Sequence, residues 1–204
     1  MAEDTPQIYL ITPRRIALQD FPDTLARMLD ETEIACVRLA LDLQDEDEVA
    51  RAADAVRPIC HARDVALVIE DHYKLVRPLG LDGVHLTGPQ KLRDIRKDLG
   101  PDPIVGCYCG ASRPEGLPDG EIGATYVSFG PLTGGSLGTE DPAPLDLFQW
   151  WSEMIEVPVV AERGLTADMI ASLRDCVDFI ALGPEIWAAE GDPSRALSTL
   201  IAGQ

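Results

Sequence analysis

The chain has 204 residues, 46% of them hydrophobic, enough to bury a substantial core in one domain covering residues 1–204. Its 35 acidic side chains outnumber 17 basic ones and give a net charge of −18, which argues against nucleic acid or an anionic membrane as partner, since both are held by basic surfaces. No run approaches the roughly 18 apolar residues of a membrane span, and Met-Ala-Glu-Asp is no signal-peptide start, so a soluble cytoplasmic protein is expected.

Gln7 to Thr12 (Q-I-Y-L-I-T) reads as a buried strand stopped by Pro13 and followed by Arg14 and Arg15. Leu25, Met28 and Leu29 give Phe21 to Glu31 a helical spacing, with Pro22 suited to its first turn. Ile34 to Leu39 is the second strand, and its period of two sets Cys36 and Arg38 on one face. The acidic run Asp42 to Glu48 opens a helix to about Cys60, because negative charge near a helix N-terminus complements the macrodipole. Val65 to Glu70 is strand three, a short helix-like segment follows, and Leu81 to Leu86 is strand four. A charged helix ends near Leu99, strand five is Pro103 to Tyr108, and the Gly- and Pro-rich stretch Gly110 to Gly120 holds only a short helix.

Strand six, Thr125 to Phe129, leads into the irregular stretch Gly130 to Pro144, the best candidate for a mobile loop over a ligand. A helix from about Leu145 to Ile155 carries Trp150 and Trp151 as packing residues. Strand seven is Val157 to Glu162, turning through Arg163-Gly164 to a helix capped by Thr166. Strand eight is Asp178 to Leu182, and after Gly183-Pro184 one last helix runs from Glu185 to about Ile201.

One pattern recurs three times, as G-L-D-G-V-H-L-T from Gly80, G-A-T-Y-V-S-F-G from Gly123 and C-V-D-F-I-A-L-G from Cys176. Val84, Val127 and Ile180, with Leu86, Phe129 and Leu182, then face covering helices, whereas His85, Ser128 and Ala181 face the other side. Strands and helical segments alternating eight times in a chain of this length specify an α/β fold, a (β/α)8 TIM barrel near its lower size limit. The five cysteines are scattered as reduced small hydrophobes, and Cys107 and Cys109 are too close in sequence for a CxxC chelate.

Active sites of such barrels lie at the C-terminal ends of the strands. The residues expected there are Arg14, Arg15, Arg38, Glu70, Asp71, His85, Tyr108, Glu162, Arg163, Gly164 and Gly183. Arginines on one rim suggest an anionic ligand, and Gly164 and Gly183 can bring backbone N–H groups close to a phosphate. His85 reads either as an interior histidine with a satisfied hydrogen bond or as a substrate contact.

These residues carry a resemblance. Y-L-I-T at Tyr9, V-I-E-D at Val68, D-G-V-H-L at Asp82, V-G-C-Y at Val105, Y-V-S-F-G-P at Tyr126 and P-V-V-A at Pro158 with Gly164 together resemble the thiamine phosphate synthase family and its thiazole tautomerase branch. The resemblance implies a (β/α)8 transferase of thiamine biosynthesis that joins hydroxymethylpyrimidine diphosphate to a thiazole phosphate and releases pyrophosphate with magnesium. It also implies a homodimer.

Carried over by position, the resemblance keeps Arg38 for catalysis and Asp71 for magnesium, with Glu70 as a substitute metal ligand and Glu70 or His85 as the candidate catalytic base. By their place at the C-terminal ends of the predicted strands, Arg14, Arg15, Tyr108, Arg163, Gly164 and Gly183 are the candidates for substrate or phosphate binding. Several family positions differ here. The family's Q-x-R-x-K reads Cys36, Arg38 and Ala40, and its I-N-D reads Ile69-Glu70-Asp71. The turn that carries a second metal carboxylate reads Thr87-Gly88-Pro89-Gln90, and the serine and histidine after strand five read Tyr108 and Gly110. The thiazole loop reads Gly134-Gly135-Ser136-Leu137-Gly138, the first glycine of G-G-I is Arg163, and the final S-A is Pro184-Glu185. Arg163 puts a side chain where a thiazole phosphate would sit, so a smaller ligand, or one held by the guanidinium, is expected. Losing charge-assisted contacts to a leaving diphosphate leaves two readings. One is an enzyme of this family, either a synthase with reduced turnover or a relative with altered substrate, and the other a non-catalytic barrel that binds a phosphorylated metabolite or a protein partner.

Overall fold

The computed structural model describes residues 5–43, 45–88, 92–134 and 141–202. Eight parallel strands close into a barrel in sequence order: β1 (Gln7–Ile11), β2 (Ile34–Leu39), β3 (Ala66–Glu70), β4 (Gly83–Leu86), β5 (Ile104–Tyr108), β6 (Tyr126–Phe129), β7 (Val159–Glu162) and β8 (Phe179–Leu182). The helices are α1 (Phe21–Glu31), α2 (Glu46–His61), α3 (Leu92–Leu99), α4 (Arg113–Ile122), α5 (Leu145–Met154), α6 (Ala167–Leu173), α7 (Pro184–Trp187) and α8 (Pro193–Ile201), and a 3-10 turn at Tyr73–Leu75 follows β3. None of these helices is long and apolar enough to cross a membrane.

The threefold repeat has a hydrogen-bonding function. Its third position is Asp82, Thr125 or Asp178, and in each copy that side chain accepts an amide from the first two residues of the preceding strand: Leu67 N at 2.7 Å, Val105 N at 3.0 Å and Val159 N at 2.8 Å. An amide at the bottom of a strand otherwise has no partner in the ladder, so the repeat satisfies the barrel floor wherever it occurs. The alternation also falls as the period of two requires. Val84, Leu86, Val127, Phe129, Ile180 and Leu182 pack against the helices in the outer core, while Tyr9, Cys36, Val68, Tyr126, Val160 and Ala181 form a separate inner cluster. Trp151 is fully buried against Phe129, at 5.0 Å between ring centroids.

One helix differs from expectation. The stretch after β8 holds α7 and α8 rather than one helix, since Gly191, at φ 102°, breaks the run and Asp192 caps a new start through its bond from Ser194 N. The Gly- and Pro-rich segment after β5 makes the ten-residue α4, because Pro114 lies in its first turn and Gly123, at φ 104°, ends it. The acidic run begins its helix at Glu46, with the Asp45 side chain accepting from Glu48 N. Thr166 caps α6 as expected. All five cysteines are free thiols. Of the loop after β6, residues 135–140, which include Gly135, Ser136, Leu137 and Gly138, lie outside the described residues, as do Pro89 and Gln90.

Candidate active site

The barrel interior carries a chain of polar side chains that starts low and ends at the C-terminal mouth. Tyr9 and Tyr126 share a hydrogen bond of 2.7 Å between hydroxyls, and the Tyr126 hydroxyl lies 2.8 Å from His85 Nδ1. Gly106 makes room for this link, since a Cβ there would lie 2.0 Å from Tyr126 Cζ. Burial, followed by the charges of Arg38, Arg163 and Arg14, pushes the His85 pKa well below its ordinary value, so the ring is neutral. His85 Nε2 is 4.0 Å from Glu162 Oε2, too far for a hydrogen bond, and a neutral ring makes no ion pair.

Above His85 lies a charged layer. Arg38 donates from Nη2 to Glu162 Oε2 at 2.8 Å, and its Nε sits 3.8 Å from Glu70 Oε2. Arg14 reaches over from the loop after β1 to the other oxygen of Glu70. Arg163 Nε lies 3.2 Å from Glu162 Oε1, and its guanidinium stacks 3.9 Å above the centre of the Tyr108 ring. Tyr108 is held in turn by donating its hydroxyl to Gly130 O at 2.6 Å. Arg38 and Glu162 are almost fully buried, and paired charges are the condition under which such burial is tolerated. Arg38 Nε and Nη1 and His85 Nε2 nevertheless have no hydrogen-bond partner among the described residues. Buried polar atoms left unmet in this way each cost about 1–3 kcal/mol and call for an explanation. For the Arg38 nitrogens, acceptors brought by a ligand supply one.

Glu70 and Asp71 border a cleft of about 490 Å³ with Arg14, Leu41, Asp42, Leu43 and His72. Asp71 has a positive φ of 59°, donates its N–H to His85 O at 2.9 Å, and accepts at Oδ1 from Thr87 N at 2.9 Å and at Oδ2 from the Thr87 hydroxyl. Arg15 is exposed and lines a surface groove with Ile16, Leu18, Glu48 and Arg51, so it is not part of the interior chain.

At the far side of the mouth, the N–H groups of Gly164, Leu165 and Gly183 converge, and the carboxylate of Glu185 fills the space between them. Glu185 Oε1 accepts from Gly164 N at 2.6 Å and Leu165 N at 3.3 Å, and Oε2 accepts from Gly183 N at 3.0 Å. Gly164 has a φ of 75°, and a Cβ on it would meet Thr133 Oγ1 at 2.1 Å, so the turn admits no side chain.

The barrel thus brings together Arg14, Arg38, Glu70, His85, Tyr108 and Arg163 of the expected residues, with Asp71 beside them and Gly164 and Gly183 opposite. Sequence reasoning put Glu162 at the mouth without a role and passed over Tyr126 and Glu185. Alternation along β6 and β7 was a usable signal for Tyr126 and Glu162, since both share the inward face with Ser128 or Val160.

The magnesium that the resemblance implies finds unequal support in these carboxylates. Glu70 is held between two guanidinium groups and does not fit a cation, whereas Asp71 is a hard oxygen donor oriented by Thr87, as a metal-binding carboxylate is by its supporting hydrogen bonds.

Residues 8–186 match the family model described as thiamine monophosphate synthase. A thiamine-phosphate synthase of Rhodospirillum centenum is 37% identical over 197 residues, covering 94% of this chain and 94% of the relative, and one of Erythrobacter litoralis is 34% identical, covering 90% and 89%. Among solved structures, the thiamine phosphate pyrophosphorylase of Pyrococcus furiosus superposes with a TM-score of 0.82 at 22% identity, over 97% of this chain and 95% of that one.

Proposed function

The chain belongs to the thiamine monophosphate synthase family and has its role in thiamine biosynthesis, and on that premise we propose that it is a transferase that joins hydroxymethylpyrimidine diphosphate to a thiazole. The observation that carries this reading is the pair of unmet donors on Arg38, with the unpartnered Nε2 of His85, beneath a mouth that also holds Asp71.

Joining a methylene diphosphate to a ring nitrogen breaks the carbon–oxygen bond and sends its electron pair out on pyrophosphate, while the nitrogen lone pair forms the new carbon–nitrogen bond. The site must therefore meet negative charge growing on the leaving group, and fixed donors do this best because they need no reorganisation. Arg38 is such a donor. Its other side is held by Glu162, which fixes the guanidinium plane and leaves Nε and Nη1 for an incoming acceptor. The neutral His85 offers Nε2 beside it, with its ring oriented through Nδ1 by Tyr126. Asp71 is the residue that would hold magnesium, whose contribution when bound would be to neutralise diphosphate charge. Arg163, stacked on Tyr108, narrows the mouth above Glu162.

A second reading, a barrel that binds a phosphorylated metabolite or a protein partner without turnover, is favoured by one observation: Arg14, Arg38 and Arg163 are each within ion-pair distance of an internal carboxylate. Calorimetric titration with the pyrimidine diphosphate, with and without magnesium, separates the two. Magnesium-dependent binding that disappears in Arg38→Met supports the transferase, and magnesium-independent binding supports the second reading. No binding at all contradicts both.

A further inference from the structure

Loops after strands seven and eight commonly hold phosphate in barrels of this architecture. Here the three amides available at that place, on Gly164, Leu165 and Gly183, are all taken by the carboxylate of Glu185. We propose that Glu185 is a resident anion that replaces a ligand phosphate, so that the thiazole accepted by this site ends in an uncharged alcohol at the β7–β8 loops instead of a phosphate monoester. This rests on the transferase reading for the identity of the ligand, though not for the state of the amides.

The chemistry of the cradle carries the inference. A phosphate monoester brings a charge of about −1.5 to −2 and needs amide donors. It would meet a full negative charge already seated on those donors. A carboxylate has about four acceptor positions, and the three amides leave one for a hydroxyl donor. An alcohol can therefore bond to Glu185 where a phosphate is repelled. Space points the same way. Glu185 is tethered two residues after Gly183, and Gly164 is pressed against Thr133, so the cradle cannot widen to admit a second anion without breaking these contacts.

The test is titration of the folded full chain with inorganic phosphate, followed by the amide signals of Gly164, Leu165 and Gly183 in a nitrogen–proton spectrum. The wild type should show no response at these three amides. Glu185→Ser should show one, with binding tighter by about tenfold or more, the range expected when charge-assisted hydrogen bonds are freed. Glu185→Gln, which keeps the side-chain volume and the overall fold, should bind phosphate less tightly than Glu185→Ser. A wild type that responds like Glu185→Ser, or a serine variant that does not respond at all, overturns the proposal. In a second arm the wild type is titrated with hydroxyethylthiazole and with its phosphate. The alcohol should bind at least about tenfold more tightly, and the reverse order overturns the assignment of the ligand. Failure of the transferase reading would be seen separately, as absence of product with either thiazole while the phosphate response still depended on Glu185.

Discussion

Glu162 Oε2 accepts from Arg38 Nη2 at 2.8 Å inside the barrel, where the two side chains expose 0% and 4% of their surface. This pair fixes the guanidinium on which the proposed chemistry depends, and it also ties the site to the stability of the fold. Glu162→Gln should destabilise the protein by about 3–5 kcal/mol, the usual cost of leaving one buried charge without its partner. Urea denaturation reads this directly. Combining it with Arg38→Met should recover a large part of the loss, because the orphaned charge is then gone too. Additive losses would show that the two residues are not coupled.

His85 makes the stability depend on pH in a way that can be isolated. Its pKa in the folded state is depressed, chiefly by burial and then by the neighbouring arginines, so the unfolded chain takes up a proton first as pH falls. The contribution is fully present above the unfolded value of about 6.5 and is lost as pH drops below it, at up to about 1.4 kcal/mol per pH unit, until the folded pKa is reached. His85→Gln should therefore flatten the profile below about pH 6.5 relative to the wild type. Parallel profiles would show that His85 does not titrate differently in the two states.

Gly106→Ala tests the interior chain from below. The added Cβ would lie 2.0 Å from Tyr126 Cζ, so the ring must move and its hydroxyl must leave Tyr9 or His85. A loss of about 1–3 kcal/mol is expected, the usual range for overpacking. Binding of the pyrimidine diphosphate should weaken as well, because His85 loses the partner that orients it. A destabilised variant with unchanged affinity would mean that His85 takes no part in binding.

Arg163 holds a φ of 70°, a left-handed conformation that glycine adopts without strain. Arg163→Gly should change stability by less than about 1 kcal/mol, since relief of backbone strain offsets the lost stacking on Tyr108. It opens the mouth but leaves Glu185 in the cradle. Affinity for thiazole phosphate should therefore rise only when Glu185→Ser is added. A rise in the single variant would make Arg163, rather than Glu185, the residue that excludes the phosphate.

The barrel was legible in the sequence because its signals are local and repeated. The alternation in V-H-L, V-S-F and I-A-L set the inner and outer faces, and the Asp or Thr before each run proved to close the strand floor. Arg38 and His85 were found by the same rule, as polar residues on inward positions, and Glu70 as the residue that ends its strand. The partners of these groups were not legible. Tyr9 meets Tyr126 across 117 positions and Arg38 meets Glu162 across 124, and only closure of the ring of strands sets those distances. Glu185 was hidden for a further reason, in that its role depends on backbone amides from two loops, and amides leave no mark in a sequence. The split between α7 and α8 had a visible signal in Gly191-Asp192-Pro193, a helix stop followed by a cap and a first-turn proline.

The most direct measurement is pyrophosphate release by the purified protein given hydroxymethylpyrimidine diphosphate, magnesium and a thiazole, with product identified by chromatography and Arg38→Lys run alongside. Turnover by the wild type, lowered about a hundredfold or more in Arg38→Lys because an ammonium cannot reproduce the fixed guanidinium, is the expected result. A folded wild type that releases no pyrophosphate with either the thiazole alcohol or its phosphate would contradict the transferase function.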